Sequence, residues 1–283
     1  VTKSDDGVIV VDSEGYRPIT VDTADLSVHE EELGTTAALI RGVAARMQEL
    51  GYKVGGFKAT VTSSVLRGSG LSSSAAFEVL IGAILDGLYN GWVLDAKERA
   101  QIAQRAENLH FGKPCGLMDQ MASSVGGLVT IDFKDPTPVV EALPYDFKAK
   151  GFSLVVVNTG GDHGDLTDDY AAIPAEMKAV AAYFGKQVLR EVDPAEMEAA
   201  IPQLRGKVSD RAILRALHFY DDNARVPRQV AALRADELEA FLALVIESGE
   251  SSWKLLQNVY ARPGEEQMAL ALEMSRRVLV GRG

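Results

Sequence analysis

The chain has 283 residues, enough for one large or two ordinary domains around a substantial core. Lys and Arg number 29 against 40 Asp and Glu, a formal charge of −11, which argues against a general nucleic-acid or anionic-membrane surface. No apolar run approaches the ~20 residues that span a bilayer, and the one cysteine, Cys115, has no internal disulfide partner, so a cytoplasmic protein is expected.

In chain order, Val8 to Val11 predicts a short strand and Glu14-Gly15 a turn, followed by an extended polar stretch from Thr20. Helical spacing then runs through Leu39, Ile40, Val43, Ala44, Met47 and Leu50, and Gly51 ends it as a C-cap. Phe57, Ala59 and Val61 share one face of a second strand. After it comes Arg67-Gly-Ser-Gly-Leu-Ser-Ser-Ser-Ala-Ala76, and a helix whose apolar positions are Ala76, Val79, Leu80, Ala83, Ile84 and Leu88. Asp95-Ala-Lys-Glu98 reads as a capping box opening a helix that carries Glu107 near its end. Phe111 to Gly116 is a second glycine turn, and a short helix from Leu117 presents Asp119 at its start, with Leu117 and Met118 as core contacts that hold it. Leu128 to Phe133 predicts a strand and Lys134 to Pro138 a loop. Phe152 to Val157 predicts a buried strand, and a domain boundary is placed near Lys150, dividing the chain into 1–150 and a mostly helical 151–283. Helices are expected from Asp193, through Ala212 to Phe219, from Asp236 to Gly249, and from Glu265 to Val280.

The stretch around Gly70 carries the most chemistry. Gly68 and Gly70 permit a sharp turn and close approach to a ligand, and Ser72, Ser73 and Ser74 supply hydroxyls and candidate N-caps. A glycine turn feeding a helix start leaves N–H groups aimed outward at the positive end of the helix dipole, which is an anion site. The Gly-Lys-Ser/Thr of a Walker A loop and the three glycines of the Rossmann fingerprint are both missing.

Gly70-Leu-Ser-Ser-Ser-Ala-Ala76 resembles the ATP-binding motif of the GHMP kinases, which phosphorylate small metabolites. Glu107-Asn-Leu-His-Phe-Gly-Lys-Pro-Cys-Gly-Leu-Met-Asp-Gln120 is similar to the active-site segment of the galactokinase branch. The likeness continues through Asn158 to Tyr170, Leu217 to Val226 and Glu247 to Asn258. It implies an α+β, two-domain GHMP kinase fold with the active site between the domains. It also implies an ATP- and Mg²⁺-dependent kinase that converts galactose to galactose 1-phosphate.

Residue by residue, the resemblance makes Gly68, Ser69, Gly70, Leu71, Ser72, Ser73, Ser74 and Ala75 the nucleotide cradle. Ser74 and Glu107 become the magnesium ligands. Asp119 becomes the catalytic carboxylate beside the sugar hydroxyl, with Tyr170 and Gly116 as further sugar contacts. Each has an ordinary alternative: a solvated glutamate at a helix end for Glu107, an N-cap or helix-start charge for Asp119, a half-buried core aromatic for Tyr170. Asp162, His163 and Asp165 either line the sugar pocket or cap the following helix. Cys115 reads as packing.

The family's N-terminal sugar-gripping motif and C-terminal glycine-rich motif are not found, so the expectation is a galactokinase whose two ends are absent. A non-catalytic sugar and nucleotide sensor, or an inactive fragment, stays open beside the kinase, as do the choice of hexose and the oligomeric state, for which a monomer is the simplest reading.

Overall fold

The computed structural model describes residues 1–64, 70–135, 137–159, 167–260 and 262–280. The chain divides into two compact units, one of residues 1–131 with 140–144, the other of residues 132–139 with 145–283.

The first unit is a small sheet covered by helices. Strands β1 (Thr2–Lys3), β2 (Val8–Ser13), β3 (Ile19–Asp22) and β4 (Phe57–Val61) lie in the order β1-β4-β2-β3. The β2–β4 pair is parallel and the outer pairs antiparallel, with Ile9 opposite Phe57 and Val11 opposite Ala59. Side chains alternate across a strand, so this register puts Ile9, Val11, Val21, Phe57 and Ala59 on one face, and all five are buried. Helix α1 (Thr36–Glu49) covers that face with Ile40, Val43, Ala44 and Met47, and α2 (Ser73–Tyr89) adds Ile81, Ile84 and Leu85. Thr35 caps α1 by accepting from the Ala38 N–H, an interaction that stabilises a helix by about 1 kcal/mol.

Helix α3 (Ala96–Arg105) begins at Asp95, whose carboxylate accepts from the Glu98 N–H at 2.8 Å. The expected capping box is only half made, because the Glu98 carboxylate instead accepts from the Tyr52 hydroxyl at 2.8 Å. α3 runs directly into a π-helical turn, Ala106–Phe111, closed by Gly112 in the left-handed region (φ 80°). Helix α4 (Met118–Val125) follows, and then β5 (Leu128–Asp132) and β6 (Val139–Leu143), which form a two-stranded sheet where the chain passes from one unit to the other. The expectation that Met118 anchors α4 in the core is corrected: it is 61% exposed, Leu117 before it is half-buried, and the buried positions are Gln120 and Met121.

The second unit is mostly helical: α5 (Thr167–Tyr183), the short α6 (Pro194–Ala199) and α7 (Ile201–Leu204), α8 (Asp210–Arg234), α9 (Leu238–Ser251) and α10 (Gln267–Leu279). Its core joins Val180 and Ala181 of α5 to Met197, Leu204, Ala212, Ile213 and Ala216. Polar side chains pin its helices as well. Arg215 is buried, paired with Glu176 at 2.9 Å and donating to the Leu256 carbonyl at 3.0 Å, while the His218 ring meets the Ser251 hydroxyl at 2.9 Å.

Two expectations fail here. Phe152–Val157 forms no strand and pairs with none among the described residues, and Leu154 is 92% exposed. An apolar run becomes a buried strand only when neighbouring strands accept from its N–H groups and donate to its C=O groups. Asp236 does not open α9: it adopts φ 59° just past the end of α8, and α9 begins at Leu238 and continues beyond Gly249.

Candidate functional site

The site gathers around the start of α2. Gly70 (φ 72°) and Ser72 (φ 52°) both lie in the left-handed region, where glycine is at ease and serine is strained by roughly 1 kcal/mol. The first intrahelical bond of α2 runs from the Ala76 N–H to the Ser72 carbonyl at 3.2 Å. The N–H groups of Ser73, Ser74 and Ala75 therefore belong to the first turn, where a helix offers them no partner of its own. Ser72 holds the N-cap position without capping with its side chain. Its hydroxyl donates to Asp119 Oδ2 at 2.5 Å. That contact joins the phosphate-type helix start to the candidate catalytic carboxylate, 47 residues apart in sequence.

At the second position of α2, the Ser74 hydroxyl donates to Glu107 Oε1 at 3.3 Å. Glu107 sits on the π turn and is only 3% exposed, so it is not a solvated helix-end charge. Its Oε2 accepts from Gln120 Nε2 at 2.7 Å, and the same amide donates to Glu78 Oε2 at 3.3 Å. Lys113 Nζ stands 3.8 Å from Glu107 Oε1. Glu78, fully buried, has its carboxyl pushed up to about 8, first by burial and then by the Glu107 charge. It is therefore mostly protonated at neutral pH. The same two causes push the Cys115 thiol up to about 12, which fits packing and not nucleophilic chemistry.

The placement of these groups follows from local packing. The π turn lies against α1 at Gly42, where an added Cβ would stand 2.8 Å from Cα and Cβ of Ala106. The loop between the π turn and α4 is held by the Cys115 N–H donating to Asn108 Oδ1 at 2.7 Å and by Gln104 Nε2 donating to the Cys115 carbonyl at 3.2 Å. Met121, fully buried, fixes α4 one residue beyond Gln120 and two beyond Asp119.

Of the residues singled out in the sequence, Ser72, Ser74, Glu107 and Asp119 come together here, with Gly70, Leu71, Ser73 and Ala75 on the same helix start. Gly116 is exposed between Cys115 and α4, and a Cβ there would meet nothing within 4 Å. Tyr170 lies on α5 in the second unit and is 54% exposed. Gly68 and Ser69, and the cluster Asp162, His163 and Asp165, lie outside the described residues. Among the described residues no group of three His, Cys, Asp or Glu is placed to hold a metal ion, and no helix is long and apolar enough to cross a membrane. Sequence reasoning passed over Glu78, Lys113 and Gln120. Glu78 could have been found from its spacing, four residues after Ser74 and so on the same helix face.

Residues 38–127 match the family described as GHMP kinases N terminal domain. That matched stretch holds the helix start of α2, Glu78, Glu107, Asp119 and Gln120. Beyond it, the chain is 32% identical over 260 residues to the galactokinase of Streptomyces coelicolor, covering 89% of this chain and 64% of that one. It is 34% identical over 220 residues to the galactokinase of Glaesserella parasuis, covering 75% and 54%. This chain thus spans less than two-thirds of the length of these curated relatives. Among solved structures, it resembles galactokinase of Lactococcus lactis complexed with galactose, with a TM-score of 0.73, 22% identity, and 89% of this chain and 66% of that one covered. That likeness supports the mixed α+β GHMP kinase fold.

Proposed function

We propose that this chain is the nucleotide-binding and catalytic portion of a galactokinase, transferring the γ-phosphoryl group of ATP to the C1 hydroxyl of galactose. The observation that carries the reading is the Ser72–Asp119 hydrogen bond, which sets a carboxylate beside an anion-binding helix start. Likeness to galactokinases over nearly nine-tenths of the chain supports the choice of reaction and sugar.

In this reading the N–H groups of Ser73, Ser74 and Ala75, with the backbone from Gly68 to Ser72, cradle the ATP phosphates. Ser74 Oγ and Glu107 Oε1 would hold Mg²⁺. The fit rests on hard oxygen donors and on a carboxylate oxygen that already faces a cation, the Lys113 ammonium. Two protein oxygens suffice, because the ion keeps waters and takes phosphate oxygens. When bound it neutralises charge on the transferring phosphoryl group.

Asp119 accepts the hydrogen bond of the attacking sugar hydroxyl through Oδ1, while Ser72 fixes its orientation through Oδ2. A carboxylate is a weak base toward an alcohol, so its contribution is chiefly orientation and electrostatic stabilisation as the proton leaves. Gly116 offers the sugar close backbone approach, and Tyr170 a ring and hydroxyl. The chain is assigned two domains, 1–150 and 151–283, and a cytoplasmic location where ATP is supplied. Galactose-dependent release of ADP from MgATP tests the reading. Nucleotide binding without any turnover on hexoses overturns it in favour of a sensor or an inactive portion.

A further inference from the structure

We infer that Gln120 is a positioning residue for the magnesium site, holding the Glu107 carboxylate so that Oε1 faces outward to the ion. The inference rests on the proposed role of Glu107 as a metal ligand and assigns a part to a side chain that touches neither nucleotide nor sugar.

Three elements meet at Gln120. It lies on α4 and is 1% exposed, its amide donating to Glu107 on the π turn and to Glu78 on α2. The two oxygens of Glu107 are thereby divided. Oε2 is taken inside by Gln120 at 2.7 Å, and Oε1 is left to Ser74 Oγ at 3.3 Å and Lys113 Nζ at 3.8 Å. Only the amide nitrogen can face these acids, because the opposite orientation would set the carbonyl oxygen of Gln120 against the Glu107 carboxylate.

Oε1 of Gln120 is itself buried without a partner, as is Oε1 of Glu78. An amide that leaves its own acceptor unsatisfied in order to donate to two acids is held for what it donates to. Without it, Oε2 of Glu107 would lose the amide donor that holds it inward. The carboxylate would then be free to turn, which withdraws the outward oxygen. Residues that orient a metal's ligand typically contribute 10- to 100-fold to metal affinity.

The test uses the whole 283-residue chain with Mn²⁺ as a spectroscopically visible probe and ADP as nucleotide. Gln120→Met keeps the length of the side chain and removes the amide, and Gln120→Asn keeps the amide and withdraws it by one methylene. Mn²⁺ affinity in the presence of ADP is read by electron paramagnetic resonance, and metal-free ADP affinity by calorimetry. Both variants are expected to bind Mn²⁺ roughly 10- to 100-fold more weakly while metal-free ADP affinity stays within about twofold, a split that a merely structural role would not produce. Should the Met variant fail to fold, the Asn variant carries the measurement. A folded variant with the unaltered Mn²⁺ affinity overturns the inference and leaves the kinase reading standing. Absence of any Mn²⁺-dependent ADP binding in the unaltered chain instead overturns the assignment of Glu107 as a ligand.

Discussion

Glu78→Gln isolates the energetics of the buried acid pair. Glu78 is fully buried, and its carboxyl is raised from its ordinary 4.5 to about 8, chiefly by burial and next by Glu107. A rise of that size is worth on the order of 5 kcal/mol between the two protonation states. The folded state binds the proton that the unfolded chain gives up above about 4.5, so native stability is complete below that pH and falls as pH rises through about 8. The loss between about pH 6 and pH 8.5 amounts to roughly 2 to 3 kcal/mol. Glutamine has nearly the shape of the protonated acid but nothing to titrate. Urea unfolding of both proteins across that range, followed by circular dichroism, should show the unaltered chain losing those kcal/mol relative to the variant. Parallel stability curves would refute the reasoning, because they would mean that Glu78 ionises in the folded protein as readily as in water.

Three further outcomes follow from the same geometry. Gly42→Ala should destabilise the first unit by about 2 kcal/mol, since its Cβ would press on Ala106 backbone and side-chain atoms at 2.8 Å; an unchanged melting temperature would show that α1 and the π turn separate freely. The native Cys115 thiol, held near 12, should react with iodoacetamide at pH 7.5 at least roughly 100-fold more slowly than in the urea-unfolded chain, and equal rates would contradict its burial beside Glu107. Ser74→Ala should weaken Mg²⁺-dependent ADP binding several-fold while leaving metal-free binding in place, and a MgADP titration that does not change would remove Ser74 from the metal site.

The parts of the fold legible in the sequence were those set by local chemistry. The alternation through Phe57, Ala59 and Val61 and the helical spacing after Ala75 reappear as β4 and α2, but the buried face of α2 runs through Ala75, Ile81 and Leu85 with Val79 and Ile84, while the expected Ala76 and Leu80 are exposed. What local pattern could not reveal depended on tertiary context. Phe152–Val157 has the composition of a core strand but no pairing strand among the described residues, so its apolar side chains lie uncovered. Asp236 has the chemistry of an N-cap, yet the chain needed a left-handed residue to leave α8, and aspartate tolerates that conformation better than most.

At the site, the glycine–serine run pointed to the helix start, but not to the left-handed backbone of Ser72 that goes with its hydroxyl reaching Asp119. Gln120 stood in plain view beside Asp119. Its role was hidden because a glutamine on a short helix is ordinarily a surface residue, and only the folded chain shows two acids converging on its amide.

The central claim is that Asp119 serves the acceptor alcohol while the start of α2 serves the nucleotide. Asp119→Ala separates the two in one preparation, with ADP release from MgATP and galactose measured beside MgADP affinity. Turnover is expected to fall at least roughly 1000-fold while MgADP affinity stays within about threefold. A variant that keeps most of its turnover, or loses nucleotide binding in step with it, would contradict that division of labour.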